Sequence, residues 1–173
     1  MLEKISITKI IGSRVTLDDT TNPNTLEFMV CIADLLSNEK VQKLQNYEQH
    51  VRTNRLSHCL NVAYYSFRFA KLIGADPRQA ARAGLLHDLY WYNWHDTKTP
   101  ENHAYFHPRL ALKNAEKVTE LTDREKDAIV KHMWPLSKGM PKYKESYAVT
   151  IADKYAAALE VCKNKGKMIF KMN

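Results

Sequence analysis

The residues of this chain whose types could do chemistry are histidines and aspartates, placed where the sequence predicts buried helix faces. His87 and Asp88 stand side by side after the small, apolar run AGLL. Three further candidates each fall on an apolar helical row: His58, His132 and Asp153. An unpaired carboxylate in an apolar interior is costly, and an imidazole needs a partner for each ring nitrogen. Because a shared cation would remove that cost, the pattern predicts a metal site.

The ligand types narrow the choice of metal. Imidazole nitrogens and carboxylate oxygens, with no cysteine among them, suit divalent Fe, Mn, Zn, Co or Ni, and the sequence does not rank these. Adjacent residues such as His87 and Asp88 differ by about 100° around a helix. One ion can therefore take both only near a helix end, where the backbone can adjust. The aromatic loop that begins at Leu89 is consistent with such an end.

Helices must position these residues, and two of them follow directly from the hydrophobic pattern. Apolar rows that include Leu72 and Ile73 on the core-facing side predict a helix over residues 56–73 that ends at Gly74. The next helix begins with Asp76 as its N-cap and Pro77 at its first position, and it continues to His87. Its small residues predict that another helix comes close.

Three further helices are predicted in the second half of the chain. One starts with His107 as a cap and Pro108 in its first turn. Thr122 and Glu125 have the capping-box spacing at the start of the next helix. The last helix covers about residues 144–162. The predicted fold class is therefore all-α.

Two long segments together resemble the HD superfamily of metal-dependent phosphohydrolases. They are RLSHCLNVAYYSFRFAKLIGADPRQAARAGLLHD and, much later, IADKYAAALE. The signature of that superfamily is a histidine, then an adjacent His-Asp pair, then a distant aspartate. The matching positions are His58, His87, Asp88 and Asp153. Between them, HPRLA and KHM resemble the two additional histidines of members that hold two ions, here His107 and His132.

The resemblance implies an all-α HD-domain helical bundle with one or two divalent transition-metal ions. One ion would be held by His58, His87, Asp88 and Asp153. Asp88 would bridge to a second ion held by His107 and His132, which makes Asp88 the catalytic residue. Such a pair of ions lowers the pKa of a water molecule, which then attacks phosphorus. The closest members in layout are small stand-alone bacterial domains, which include hydrolases that cleave diadenosine tetraphosphate symmetrically.

The resemblance also suggests how the 173 residues are divided. We expect an N-terminal extension over residues 1–40, an HD domain over residues 41–165 and a C-terminal tail over residues 166–173. Weak alternation in residues 1–26 predicts a small β-hairpin or a loose arm. The extension either packs on the core or mediates a homodimer.

The sequence departs from the family at the position three residues beyond the His-Asp pair. Many members have a lysine there, whereas this chain has Trp91. A phosphate-facing cation must therefore come from elsewhere or be absent. The substrate-binding candidates are those near ligand positions in sequence: Arg55, His103, Lys131, Lys138 and Lys142.

Other polar and aromatic residues receive more general predictions. Asp96, Glu101 and Glu160 are candidates for hydrogen bonds to the outer nitrogens of ligand histidines. His50 and His95 are predicted to face solvent. The four aromatic residues of the loop either stack on a nucleobase or wall the pocket, and walling is favoured: Tyr90, Trp91, Tyr92 and Trp94.

Composition excludes several classes of function. The net charge of +7 favours anionic ligands, but the basic residues alternate with acids at helical spacing, which argues against nucleic-acid binding. The sequence has no run of about 18 apolar residues, so no membrane span is predicted. Three dispersed cysteines and a charged N-terminal segment favour the cytoplasm.

Two hypotheses for function follow. The first is a metal-dependent phosphohydrolase, cleaving phosphomonoester, phosphodiester or pyrophosphate bonds of a nucleotide, dinucleotide or other small phosphorylated molecule. The second is a catalytically weak module that senses a nucleotide and retains the metal cage. The complete set of six ligand positions favours the first hypothesis.

Overall fold

The computed structural model of the chain describes residues 9–50, 53–94 and 96–169. Within these ranges there are seven α-helices and one sheet of two short antiparallel strands. The elements are α1 (Pro23–Leu36), α2 (Glu39–Gln42), β1 (Glu48–His50), β2 (Thr53–Asn54), α3 (Arg55–Ile73), α4 (Pro77–Leu86), α5 (His103–Ala115), α6 (Asp123–Lys131) and α7 (Lys144–Ile169). The prediction of an all-α fold is confirmed. None of the described helices is both long enough and apolar enough to cross a membrane.

Helix α3 lies at the centre of the bundle and packs against α4 and α7. The contact with α4 is close because α4 has Gly84 where the helices meet. A Cβ atom at Gly84 would lie 2.9 Å from the Cα of Ala63, which is closer than real side chains come. This confirms that the small residues of α4 allow another helix to approach.

The predicted helix starts are confirmed at three places. The side chain of Asn54 caps α3, and Asp76 caps α4 with Pro77 in the first turn. Thr122 and Glu125 form a reciprocal capping box at the start of α6. Gly74 ends α3 in the left-handed conformation, with φ at 64°. Local capping chemistry therefore sets these boundaries.

Helix α5 differs from the prediction. It begins at His103 rather than His107, and Pro108 lies buried inside it. The side chain of Asn102 accepts a hydrogen bond from the backbone N–H of Ala104, so Asn102 is the cap. The prediction that His107 is a cap was wrong, because the asparagine cap starts the helix one turn before the proline.

Two predictions about helix faces and lengths also need correction. Leu72 and Ile73 were predicted to face the core, but they are 78% and 44% exposed. Helix α7 extends to Ile169, beyond the predicted end near residue 162.

The described part of the N-terminal extension packs into the same core as the remaining helices. The ring of Phe28 in α1 contacts those of Tyr64 and Phe67 in α3. The backbone N–H of Ile11 donates to the side chain of Asn61 at 3.1 Å. One isolated bridge, between Lys9 and Thr16, is the pairing found in the described part of the extension. Residues 1–8, where the alternation begins, and residues 170–173 of the tail lie outside the described residues, and the domain boundaries stay predictions.

An ionic cluster around the buried Arg82 and Glu125 joins α1, α4 and α6. The guanidinium of Arg82 in α4 donates to both carboxylate oxygens of Asp34, at 2.8 and 2.7 Å. It also donates to Glu125 at 3.1 Å and to Thr119 at 3.1 Å. The second oxygen of Glu125 accepts from the backbone of Thr122 at 2.8 Å. These groups supply one another with partners, as buried ionic groups require.

Candidate metal centre

All six predicted metal ligands come together in one place beside α3. His58 lies in the first turn of α3, and His87 is the C-cap of α4 with Asp88 following it. The other three come from separate helices: His107 from α5, His132 from the end of α6 and Asp153 from α7. Asp153 is partly exposed and the other five are buried. Helix packing therefore brings together residues that are far apart in sequence.

A continuous series of short distances links the six side chains. His58 Nε2 lies 3.1 Å from Asp153 Oδ1, which is 3.7 Å from His87 Nε2. His87 Nε2 lies 3.6 Å from Asp88 Oδ2. On the other side, Asp88 Oδ1 lies 3.3 Å from His107 Nε2, which is 2.9 Å from His132 Nε2. The two oxygens of Asp88 therefore face two different groups of ligands.

Two groups of three residues have the spacing of metal ligands. The first is His58, His87 and Asp88, and the second is Asp88, His107 and His132. Within each group the ligand atoms all lie within 4.8 Å of one another. Asp153 adds a carboxylate to the first group. Asp88 is the residue that the two groups share.

Three of the histidines are oriented in the same way. Their Nδ1 atoms bind backbone carbonyls: Gly84 for His87 at 2.8 Å, His103 for His107 at 2.7 Å, and Ile129 for His132 at 2.7 Å. A carbonyl only accepts hydrogen bonds, so each Nδ1 carries the hydrogen. Nε2 is then the atom that can take up a proton or a metal ion. Outer hydrogen bonds of this kind commonly orient metal-bound histidines.

His58 is oriented by a carboxylate instead. Its Nδ1 lies 3.1 Å from Glu160, which is fully buried and also accepts from Asn61 at 2.9 Å. Of the three acidic residues considered for this role, the structure brings Glu160 to a ligand histidine. Asp96 is exposed, and Glu101 pairs with Arg109 at the surface.

The atoms at the centre fit a bound cation. Among the described residues, His87 Nε2 and Asp88 Oδ1 are buried and have no hydrogen-bond partner. Burial, together with the neighbouring His87, lowers the pKa of His132 to about 3, so this imidazole is neutral. Its Nε2 lone pair points at His107 Nε2 only 2.9 Å away. Because two lone pairs that face each other repel, a proton or a metal ion must lie between or beside these two nitrogens.

The charges of the remaining groups agree with a cation site. Burial alone would raise the pKa of Asp88, but the electrostatic effect of the neighbouring His87 and His107 holds it well below its ordinary value. Burial alone would lower the pKa of His58, but the hydrogen bonds to Asp153 and Glu160 raise it to about 10. The carboxylates are therefore ionised, and in the ion-free protein a proton occupies His58 Nε2.

The sequence model of the HD domain family matches residues 55–158, which is more than half of the chain. The chain belongs to the HD domain family. The HD superfamily consists of metal-dependent phosphohydrolases whose members bind divalent metal ions, and the buried His/Asp cluster is compatible with this. No curated protein and no solved structure matches the chain.

A cavity of about 460 Å³ opens onto the candidate metal centre of this HD domain. Four of the candidate ligands form its floor: Asp88, His107, His132 and Asp153. One wall is apolar, with Met133, Leu136 and Ala157. Trp94 and His103 also line the cavity, and their rings stack with centroids 5.5 Å apart. The cavity therefore has a polar floor between apolar and aromatic walls.

Of the residues predicted to bind substrate, His103 lines this cavity and the others do not. Arg55 is fully buried, and its donors bind protein oxygens, so it cannot reach a substrate phosphate. Lys131 lies against Gly139, and Lys138 and Lys142 are exposed elsewhere. Nearness in sequence to a ligand was a poor guide, because neighbouring side chains on a helix point in different directions.

The lysine that lines the cavity is Lys154, which the sequence analysis did not single out. It directly follows Asp153 on α7. Its Nζ donates to the backbone carbonyls of His132 at 3.0 Å and Thr150 at 3.3 Å. The motif Asp-Lys in IADKYAAALE was the signal that could have identified it.

The aromatic loop after Asp88 separates into two parts. Tyr90 and Trp94 line the cavity, and the hydroxyl of Tyr92 lies 3.1 Å from His103 Nδ1. Trp91 points elsewhere, since its indole N–H donates to the carbonyl of Lys40 at 3.0 Å. The predicted solvent exposure of His50 and His95 concerns side chains outside the described residues.

Proposed function

We propose that this HD domain hydrolyses a phosphate ester of a small molecule, with a nucleotide as the expected class of substrate. The observation that carries the proposal is the pair of ligand groups sharing Asp88, with orphaned buried atoms, at the floor of a cavity of about 460 Å³. Cavities of roughly 300–1,000 Å³ are typical of small-molecule sites.

The proposed ligands are the six residues described above. His58, His87, Asp88 and Asp153 would hold one divalent ion, and Asp88, His107 and His132 a second. Divalent ions at such a site supply a water nucleophile at neutral pH and neutralise charge on the phosphoryl group. The protein orients the imidazoles through Glu160 and the backbone carbonyls, and it holds Asp88 between the two groups.

Lys154 is the residue that we expect to contact the phosphate. Two of its three N–H donors bind carbonyls, and the third remains for an anion at the cavity floor. It thus takes the place of the lysine that many family members have at the position of Trp91. Lys154 was not among the four cations proposed from the sequence.

The cavity favours a phosphomonoester over a long polyphosphate. Lys154 is the only Lys or Arg among the described residues that line it, which suits a single phosphoryl group better than a chain of four. The apolar wall at Met133 and Leu136 and the aromatic wall at Trp94 suit a planar base. We therefore expect a nucleoside monophosphate to be a better substrate than diadenosine tetraphosphate.

The test is a substrate panel with metal-reconstituted protein. With Mn²⁺ or Fe²⁺ present, the wild-type protein should release phosphate from nucleoside monophosphates faster than it cleaves dinucleoside polyphosphates. Asp88→Asn should lower kcat/KM by at least about 1,000-fold, because both ion positions lose their shared carboxylate. Chelation should have a similar effect.

Two outcomes of the panel would contradict the proposal. Turnover that persists in Asp88→Asn or after chelation would mean that another site does the chemistry. Nucleotide binding without product, with any of the five metals, would instead support the sensing module.

A further inference from the structure

Arg55 is a fully buried cation in an unusual environment. Its guanidinium donates to Gln49 Oε1 at 2.7 Å and to the carbonyls of Tyr90 at 2.8 Å and Tyr92 at 3.1 Å. It also lies over the Tyr90 ring, with Cζ 3.8 Å from the centroid. Among the described residues, no carboxylate lies within ion-pair distance of it. A buried cation that is held by neutral oxygens carries a desolvation cost that no ion pair offsets.

Gln49 connects this cation to the metal centre. Its Nε2 donates to Asp88 Oδ2 at 2.6 Å, while its Oε1 accepts from Arg55. The two ends of an amide are hard to tell apart by shape, but here the partners decide the orientation. Arginine can only donate and an ionised carboxylate can only accept. The amide of Gln49 is therefore fixed in one direction, with its hydrogens toward Asp88.

This contact reaches only one of the two oxygens of Asp88. Oδ2, which accepts from Gln49, is the oxygen that faces His87 at 3.6 Å. Oδ1 is left for the second ligand group, 3.3 Å from His107 and 3.7 Å from His132. Gln49 thus sets the rotation of the carboxylate that both groups share.

We infer that Gln49, held by Arg55, is a positioning residue that fixes Asp88 for metal binding. The inference rests on the proposed metal sites. Neither Gln49 nor Arg55 is a ligand: Arg55 orients the amide, and the amide orients the carboxylate. The second ligand group should depend on this more than the first. Asp153 also contributes a carboxylate to the first group, whereas among the described residues Asp88 is the one carboxylate within ion-pair distance of His107 and His132.

The test is a titration of the ion-free protein with Mn²⁺ alone, followed by the EPR signal of free Mn²⁺. Gln49→Met keeps the length of the side chain and removes the amide. Its dissociation constant for Mn²⁺ should rise about 10- to 100-fold, which is the usual effect of losing an outer partner of a metal ligand. Gln45→Met is the matched control, because Gln45 is exposed in the same segment and should bind Mn²⁺ like the wild type.

Arg55→Lys tests the connection through the amide. It retains the positive charge but not the planar fork that binds several oxygens at once. Alone it should also weaken Mn²⁺ binding, and in the Gln49→Met background it should have little further effect, since both residues act through one contact. If Arg55→Lys does not fold, the Mn²⁺ titration of Gln49→Met alone tests the inference.

The outcomes separate this inference from the proposed function. Unchanged Mn²⁺ affinity in Gln49→Met, with binding by the wild type, would overturn the positioning role and leave the metal centre intact. A wild-type protein that binds no Mn²⁺ would overturn both. A weakening confined to Gln49→Met and Arg55→Lys, with the Gln45→Met control unaffected, would support the inference.

Discussion

Helix α4 contributes to two polar clusters, one around Arg82 and one around His87, which differ in how completely their buried polar groups are paired. Around Arg82, each polar group has a partner: Asp34, Glu125, Thr119 and Thr122 supply the guanidinium and one another. One turn further along, at His87, buried atoms of the cluster have no partner among the described residues. We call the Arg82 cluster closed, because its polar groups pair with one another, and the His87 cluster open, because some of its buried atoms have no partner among the described residues.

The difference shows what distinguishes a structural network from a ligand site. Burial and charge are common to both clusters, so neither property alone indicates function. A closed cluster satisfies its own hydrogen bonds, and adding a ligand would displace one of them. An open cluster leaves buried polar atoms without a hydrogen-bond partner, here His87 Nε2 and Asp88 Oδ1. Such atoms are available to a ligand, whereas none of the polar groups named for the Arg82 cluster is left without a partner.

The largest expected effect that separates the clusters is on stability. Arg82→Met leaves the buried carboxylate of Glu125 without its cation, which should lower the free energy of unfolding by roughly 3–5 kcal/mol. Mn²⁺ affinity should not change, since Arg82 does not contact the metal centre. Thermal and denaturant unfolding with a parallel Mn²⁺ titration would measure both quantities. Arg78→Met is the control, because Arg78 is exposed on the same helix.

An Arg82→Met protein that folds normally but loses Mn²⁺ affinity would break the comparison. It would mean that the two clusters are coupled through α4.

A smaller effect is expected on catalysis when the proposed phosphate contact is removed. Lys154→Met should lower kcat/KM about 10- to 100-fold, in line with a charge-assisted hydrogen bond of roughly 1.5–3 kcal/mol. Unfolding and Mn²⁺ affinity should stay close to wild type. Lys138→Met is the matched control and should retain full activity, since Lys138 is exposed away from the cavity. Equal losses in the two lysine variants would argue for a general effect of charge.

The last prediction concerns the pH dependence of Mn²⁺ affinity at the open cluster. The raised pKa of His58, about 10, means that its Nε2 carries a proton at neutral pH in the ion-free protein. A metal ion must displace that proton, so Mn²⁺ affinity should increase with pH between pH 6 and 9, by about tenfold per unit for each proton displaced. Titrations in buffers of different ionisation heat would count the protons released.

Affinity that is constant over this range would contradict a ligand role for His58. The closed cluster around Arg82 should release no proton when a metal ion binds, in contrast to the open cluster.

Much of the metal centre could be predicted from the sequence because its ligands lie at helix ends and on helix faces. Caps such as Asp76 and Thr122 define where α4 and α6 begin, and spacing then places His87 and His132 near their C-terminal ends. The family resemblance identified the remaining candidate ligands. Secondary structure alone therefore placed several of the candidate ligands.

The partners of these ligands were harder to predict, because they depend on tertiary contacts. Glu160 lies 102 positions from His58, and no spacing relates the two. Gln49 reaches Asp88 from a short strand whose position depends on Arg55. Arg55 itself was predicted to face a phosphate, whereas the structure buries it. These contacts depend on the direction in which each side chain points within the helical bundle, and position along the chain does not reveal that direction.

Elemental analysis of the protein purified without a chelator tests the central claim most directly. We expect one to two equivalents of a transition metal per chain in the wild type and in Arg82→Met. We expect this metal to be lost in His87→Gln, which changes the open cluster at an orphaned nitrogen. A wild-type protein without transition metal, or equal metal content in His87→Gln, would contradict the claim that the open cluster is a metal centre.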